Sequence, residues 1–233
     1  MRHTILLTLG AAATVATGEP APDPAAVLKT IEAPVLKCKT LRTDVAVSIV
    51  PEALGSLKGT LVVGAGNKVR LELDGSVAAM TGKTVTVCDG ERVRSVGFTQ
   101  KAQDRPAEKQ LGEMMRASHA RVGVFVPLFL ATKAPEPGEP RTPFALDTDY
   151  PVSGLKLGPA LPGRDTRAVE YTVSPRGSKA AFDVVTWADA KTHLPVRRVI
   201  TLKEAGKTVV VTETYSNTVL DGPVADGEFA LPK

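Results

Sequence analysis

The chain holds few of the side chains that carry acid–base, nucleophilic or metal chemistry, and their spacing matches no recognisable site. It has 3 histidines and 2 cysteines. His119 lies in a predicted helix and His193 in a predicted turn, and neither has an acid and a nucleophile nearby in the sequence. Asp147 and Asp149 form a lone Asp-Thr-Asp in a loop, which is usually solvated. We therefore predict a non-enzymatic protein with no metal site and no cofactor, although a cluster of Asp147, Asp149 and His193 in the fold would revive an enzymatic role.

Glycine-containing motifs in the sequence resemble catalytic loops only in part. The segment Gly55–Gly59 has a serine one place too early for a nucleophile elbow. Gly82–Thr84 and Gly206–Thr208 both end like a phosphate-binding loop. Val77 and Thr201 occupy the positions where such a loop needs its upstream glycine. Both segments also lead into strand patterns, so we interpret them as hairpin turns.

Composition and charge exclude nucleic acid as a partner. With 233 residues, of which 43% are hydrophobic, the chain can bury the core of one globular domain. Lys and Arg number 29 against 25 Asp and Glu, and the formal net charge of +4 is too small for a nucleic-acid-binding surface. No aromatic residue precedes Phe98, so the N-terminal part offers no platform on which bases could stack.

The first residues have the three parts of a secretory signal peptide. A short positive segment, Met1–Thr4, precedes the apolar run Ile5–Ala16, and small residues follow up to Gly18. The run is shorter than the roughly 20 apolar residues that a bilayer span needs. No cysteine near the cleavage point could carry a lipid anchor. We predict that residues 1–18 are removed, that residues 19–233 form a single domain, and that the protein is periplasmic or secreted with no stable membrane span.

The two cysteines, Cys38 and Cys88, leave two interpretations open. In an oxidising compartment they could form a disulfide that closes a loop of about 51 residues, which contributes about 4 kcal/mol in the chain-entropy model. They could equally be two small buried hydrophobic residues.

The first predicted element after a proline-rich lead-in is a helix. Asp23 followed by Pro24 is typical of an N-cap and the first helical position. Apolar residues then recur at helical spacing and predict an amphipathic helix over residues 24–40. Pro34 is expected to kink this helix, because its ring opposes the Thr30 carbonyl.

From residue 42 the hydrophobic period changes to that of strands, with turn signals such as Gly64–Asn67 between the runs. This pattern predicts an antiparallel meander that has one apolar and one solvated face and stops near Phe98. Its apolar residues are candidates for the wall of a hydrophobic cavity, and they are Val45, Val47, Ile49, Leu61, Val63, Val69, Leu71, Leu73, Val85 and Val87.

A helical interruption follows, and then strands resume. Residues 105–122 have helical spacing, and the uncharged run from Val122 to Ala131 is too short to cross a membrane. Residues 132–143 carry four prolines and are predicted to be an exposed loop excursion within the one domain. The candidate lid over the cavity consists of Leu111, Met114, Met115, Phe125, Leu128 and Phe129. For wall and lid alike, plain hydrophobic core is the alternative interpretation.

The C-terminal third carries two motifs that resemble the LolA/LolB-like family of periplasmic lipoprotein carriers. Trp187–Arg198 is similar to the family's W-x-D-x-x-T-x-L-P-x-R turn. Glu213–Asn217 and Gly222–Pro232 resemble its closing strand and its P-x-x-x-x-F-x-L-P tail. The order of the predicted elements extends the resemblance loosely across residues 24–233.

This resemblance implies an α+β fold, an incomplete and highly curved antiparallel β-barrel (a half-barrel) with helices over its concave face. It also implies an exported, non-enzymatic carrier or binder of lipid or lipoprotein acyl chains in the bacterial cell envelope. The alternative is an envelope scaffold or sensor of the same fold that binds a protein partner and no lipid. Carriers of the family use an arginine of the sheet to lock the lid, and the sequence alone does not assign any residue to that part.

Overall fold

Eleven strands pair in one antiparallel sheet in this computed structural model, which describes residues 22–51, 54–77, 80–97, 100–126, 143–178, 180–204 and 207–232. Most of the strands alternate apolar and polar residues, so one face of each is suited to burial. The strands are β1 (Leu41–Val50), β2 (Gly55–Val63), β3 (Val69–Val77), β4 (Met80–Cys88), β5 (Arg92–Gly97), β6 (Gln100–Pro106), β7 (Val152–Gly158), β8 (Thr166–Val173), β9 (Phe182–Asp189), β10 (Pro195–Glu204) and β11 (Lys207–Leu220).

The strand order shows that the sheet is not closed into a full barrel. The order is β6-β5-β4-β3-β2-β1-β11-β10-β9-β8-β7. Two meanders are joined where β1 pairs with β11, for example Val45 with Tyr215. Strands β6 and β7 are the two edges, so the sheet stays open. The predicted α+β half-barrel is confirmed.

The first of the described helices begins at the cap that the sequence predicts. Helix α1 (Pro24–Lys37) starts with the Asp23 carboxylate accepting the Ala25 backbone N–H at 3.1 Å, as predicted. It ends at Lys37 instead of residue 40, because Cys38 is already extended. Pro34 lies inside the helix. Helices α2 (Leu111–Arg121) and α3 (Leu146–Asp149) follow. None of the helices in the described part of the chain has both the length and the apolar character needed to cross a membrane.

The predicted start of the second helix is wrong. Strands continue past Phe98, and Arg105 and Pro106 belong to β6, so that α2 begins only at Leu111. The described side chains of β6 are exposed, since the strand lies at an edge of the sheet. An edge strand that buries neither face carries no apolar alternation, so the pattern on which the prediction depended is missing.

The core lies between the sheet and the helices. Helix α1 contacts β7, β8 and α2, and α2 also contacts β2 and β3. We call the face of the sheet beneath these helices the inner face. Ile31 and Val35 of α1 are buried in one continuous cluster with Leu61 and Leu71 of the inner face. Full burial of each such aliphatic side chain contributes about 1.5–3 kcal/mol.

Two predicted wall residues, Val85 and Val87, lie on the outer face instead. In the register of β3 with β4, Val85 pairs with Glu72 and Val87 with Arg70, whereas Thr86 pairs with the inward-facing Leu71. The alternation in β4 places both valines on one face, and only the pairing with β3 decides which side of the sheet that face is on.

The C-terminal tail covers this outer patch. Phe229, in a single 3-10 turn at Asp226–Phe229, packs with Val62 and Val87. Glu228 pairs with Arg42, and Asp226 accepts from Lys68 Nζ at 2.8 Å. The tail motif thus has a structural role on the outer face.

Cys38 and Cys88 are both buried and both free. The structure therefore shows no disulfide between them, and the second interpretation, two small buried hydrophobic residues, describes them here. Burial raises the pKa of each thiol.

Candidate functional site

The remaining predicted wall residues come together on the inner face, where side chains of the protein itself cover them. None of them is more than 4% exposed, and they are Val45, Val47, Ile49, Leu61, Val63, Val69, Leu71 and Leu73. Of the predicted lid, Leu111 and Met115 of α2 join the same core, and Met114 and Phe125 are partly buried against it. Leu128 and Phe129 lie outside the described residues. The inner face is thus a buried aliphatic surface, and helices α1 and α2 lie over part of it.

A buried arginine connects the sheet to the C-terminal end of α2. Arg198 on β10 is fully buried. Its Nη1 donates to the His119 carbonyl at 2.8 Å, and its Nη2 donates to the Ala120 carbonyl at 2.8 Å. The last carbonyls of a helix have no partner within the helix, and a guanidinium with its forked donors satisfies two of them at once.

A relay of hydroxyl groups extends this connection by one more carbonyl. Arg198 Nε donates to Thr186 Oγ1 at 2.9 Å, and the Thr186 and Tyr171 hydroxyls are 2.9 Å apart. The Tyr171 hydroxyl in turn donates to the Arg121 carbonyl. Three successive carbonyls at the end of α2 are therefore bonded to side chains of the inner face.

Glu213 on β11 fixes the chain immediately after α2. Its carboxylate is fully buried and accepts the backbone N–H groups of Val124, at 3.0 Å, and Phe125, at 2.6 Å. It also accepts the hydroxyl proton of Tyr215. Gly123 makes this approach possible, because a Cβ at that position would overlap the Glu213 carboxylate. We call Thr186, Tyr171, Arg198, Glu213 and Tyr215 the latch cluster.

The charges in the latch cluster are balanced within it. Burial opposes the charged form of Arg198, but Tyr215, Tyr171 and Glu213 more than compensate, so its pKa is raised and the guanidinium stays charged. The pKa of Tyr215 is raised well above its ordinary value, first by burial and then by the Glu213 carboxylate, so its hydroxyl remains a donor. Buried polar groups that satisfy one another in this way fix one arrangement of the elements that carry them.

His119 is buried beside the latch cluster. Its ring meets the Tyr215 ring edge-on at 4.7 Å, and neither ring nitrogen has a hydrogen-bond partner among the described residues. Burial first, and then the charge of Arg198, lower its pKa to about 3. The imidazole is neutral at physiological pH and is unsuited to general acid–base catalysis.

We expect the stability of the protein to fall with acidification because of His119. An unfolded chain protonates this residue below about pH 6.5, whereas the folded protein does so only near pH 3. The neutral His119 contributes fully to the free energy of unfolding above pH 6.5. As the pH falls from 6.5 towards 3, this free energy decreases by about 1.4 kcal/mol per pH unit. Urea unfolding between pH 7.5 and pH 5 should show a steeper loss for the natural protein than for His119→Phe. An His119 ring signal in NMR that titrates near pH 6 would contradict this assignment.

A second buried contact joins the helices to one another. Arg121, the last residue of α2, donates from Nε and Nη2 to the two carboxylate oxygens of Glu32 on α1, at 2.6 and 2.9 Å. Both side chains are 5% exposed. Arg121 Nη1 also donates to Asp147 of α3 at 2.8 Å and to the Tyr150 carbonyl. The three helices are therefore linked through one guanidinium.

Asp147, Asp149 and His193, whose clustering would favour an enzymatic role, take structural positions instead. Asp147 pairs with Arg121, and Asp149 accepts from Arg176 and from the Ala145 backbone N–H. His193 lies in the turn between β9 and β10 at a φ of 60°. Within the described ranges, no group of three or more His, Cys, Asp and Glu side chains could hold a metal ion.

Sequence reasoning missed the latch cluster, although a signal for it is present. In β10, Arg198 stands at the same alternating position as the buried Ile200 and Leu202. In β11, Glu213 stands between the buried Val211 and Tyr215 in the same way. A charged residue at a core position of a strand indicates that a buried partner exists. The pattern does not say which partner it is.

Comparisons with known proteins concern the fold. No family model and no curated protein sequence matches the chain. LprF from Mycobacterium bovis is similar in structure at 12% identity and a TM-score of 0.49, over 89% of this chain and 97% of that one. A LolA superfamily protein from Nitrosomonas europaea matches at 12% identity and a TM-score of 0.38, over 90% and 98%. The complex of MucA and MucB from Pseudomonas aeruginosa matches at 16% identity and a TM-score of 0.42, over 91% of this chain and 62% of that one. One of these similar structures is thus described as a LolA superfamily protein.

Proposed function

We propose that the protein is a non-enzymatic binder or carrier of lipid or lipoprotein acyl chains in the bacterial cell envelope. One observation carries this proposal. Helices α1 and α2 lie over the aliphatic inner face, and the last turn of α2 is attached to the sheet through hydrogen bonds centred on Arg198. An open sheet roofed in this way can expose its apolar face without breaking any strand pairing.

The chemistry of the covered surface suits an acyl chain. Its residues are valine, leucine and isoleucine, which contact a hydrocarbon chain without directional bonds. The interior is filled in this closed form, so a ligand must replace contacts that the helices now make. The latch cluster sets the free-energy difference between the two states.

Export belongs to the same proposal. Residues 1–18 have the composition of a signal peptide, and acyl chains attached to lipoproteins need a carrier only where water separates two membranes. We propose that the domain acts in the periplasm.

A fluorescent fatty-acid probe tests the proposal on the purified protein. We expect the probe to bind, and Arg198→Lys to speed its uptake, because a lysine cannot bond two carbonyls and a hydroxyl with the fork of a guanidinium. Arg197→Lys, one residue earlier on the outer face, is the matched control and should not change uptake. Mass spectrometry of organic extracts should find lipid in protein purified from its native envelope. The proposal would be overturned if the extracts contained no lipid and neither the natural protein nor the two variants bound the probe.

The filled interior favours one second candidate, a scaffold that binds an envelope protein and no lipid. With wall residues at most 4% exposed, the helices and the sheet already form a complete core. Native mass spectrometry of the purified complex would identify this case as a stoichiometric protein partner on a lipid-free chain.

A further inference from the structure

Two adjoining cavities lie at the N-terminal end of α2, away from the latch cluster. The first has a volume of about 300 Å³ and lies between the end of α1, the turn from β2 to β3, and the first residues of α2. The second has a volume of about 560 Å³. Lys109 and Gln110 line both of them, so the two cavities are neighbours.

The first cavity is cationic. Lys39, Lys109 and Arg116 line it, against the single carboxylate of Glu113. In the part of the chain that the structure describes, no ion pair engages any of the three cations. Arg116 is half-buried, and an unpaired guanidinium that is partly removed from water favours an anion beside it. The positive end of the α2 dipole adds to this preference.

Arg116 and Cys38 line the same cavity. Burial raises the pKa of the Cys38 thiol, and the charge of Arg116 acts in the opposite direction. The carboxylate of Glu113 is partly engaged, since it accepts from Gln110 Nε2 at 2.8 Å.

The second cavity is mainly apolar. Ala107, Met114, Pro143 and Phe144 line it together with the two shared residues and Glu108, whose carboxylate pairs with Arg105. Ala107, Met114 and Phe144 also pack against the main core. The apolar cavity therefore borders both the cationic cavity and the main core.

We propose that these two cavities together form the binding site for an anionic phospholipid, with its phosphate in the cationic cavity and an acyl chain in the apolar one. This inference rests on the proposed function and names the class of lipid that the protein selects. Charge complementarity decides the head group, because a zwitterionic head group would place a second cation among Lys39, Lys109 and Arg116.

Calorimetry with short-chain lipids tests the site on the purified protein. Dihexanoyl-phosphatidylglycerol should bind about tenfold more tightly than dihexanoyl-phosphatidylcholine, as one charge-assisted contact accounts for. Lys109→Gln combined with Arg116→Gln should remove this preference. Lys58→Gln combined with Lys207→Gln removes the same charge from exposed positions elsewhere and should retain it. Added salt should weaken phosphatidylglycerol binding by the natural protein and leave phosphatidylcholine binding unchanged.

Each contrary outcome has a distinct meaning. Equal binding of the two lipids would overturn the head-group site while the proposed acyl-chain function stands. Failure of both lipids to bind would contradict the proposed function itself. Inorganic phosphate that binds as tightly as phosphatidylglycerol would show a site for the free anion and overturn the lipid assignment.

Discussion

Replacing Arg198 by methionine should destabilise the protein by about 3–5 kcal/mol, the cost of removing one partner from a buried charged network. Methionine fills a similar space but donates no hydrogen bond. The carbonyls of the buried His119 and Ala120 would lose their donors, and each such loss costs about 1–3 kcal/mol. The Glu213 carboxylate would also lose the nearby positive charge. Urea unfolding measured by circular dichroism gives the free energy directly.

Arg197→Met is the matched control for this prediction. Arg197 precedes Arg198 on β10 and faces the outer side, where its guanidinium lies 5.7 Å from the centre of the Trp187 ring. Loss of that contact should cost no more than about 1 kcal/mol. Hydrogen exchange should, in addition, accelerate at the end of α2 in Arg198→Met and not in the control. Equal unfolding free energies for the two variants would show that the latch cluster does not hold the helix.

Gly123→Ala should cost about 3 kcal/mol through two separate effects. The residue has a φ of +92°, where an L side chain is strained by about 1–2 kcal/mol. The new Cβ would also overlap the Glu213 carboxylate, which must then move away from the backbone N–H groups of Val124 and Phe125. Loss of even one bond to a buried charge adds about 1.5–3 kcal/mol. Urea unfolding at constant m-value is the measurement.

Gly163→Ala separates the two effects. Gly163 has a φ of +71°, and a Cβ built there meets nothing within 4 Å. This control should therefore show the backbone strain alone, about 1–2 kcal/mol. If Gly123→Ala were no worse than Gly163→Ala, the Glu213 carboxylate would have room to adjust, and its role in fixing residues 124–125 would be refuted.

Strands and helices that bury one face could be predicted from the sequence, whereas the exposed edge strand β6 could not. The regular alternation in β1 and β3 fixed both their positions and their inward residues, and Asp23 with Pro24 located the start of α1. Strand β6 was missed because an exposed edge strand has no apolar period. The face of β4 is predicted wrongly because Val87 is buried on the outer face by the C-terminal tail, which no local pattern in β4 indicates.

The amino-acid sequence by itself determined that this chain forms an antiparallel sheet with one apolar face and with helices. It also contains no recognisable catalytic or metal-ligating motif. These properties depend on residue types at short spacings, and hydrophobic periodicity records them locally. Only the tertiary structure decided that Arg198, Glu213 and Tyr171 meet the end of α2, and that Lys39, Lys109 and Arg116 line one cavity. Strand register and helix placement bring these residues together across as many as 89 positions, as between Glu213 and Val124. No local pattern carries information over such a separation.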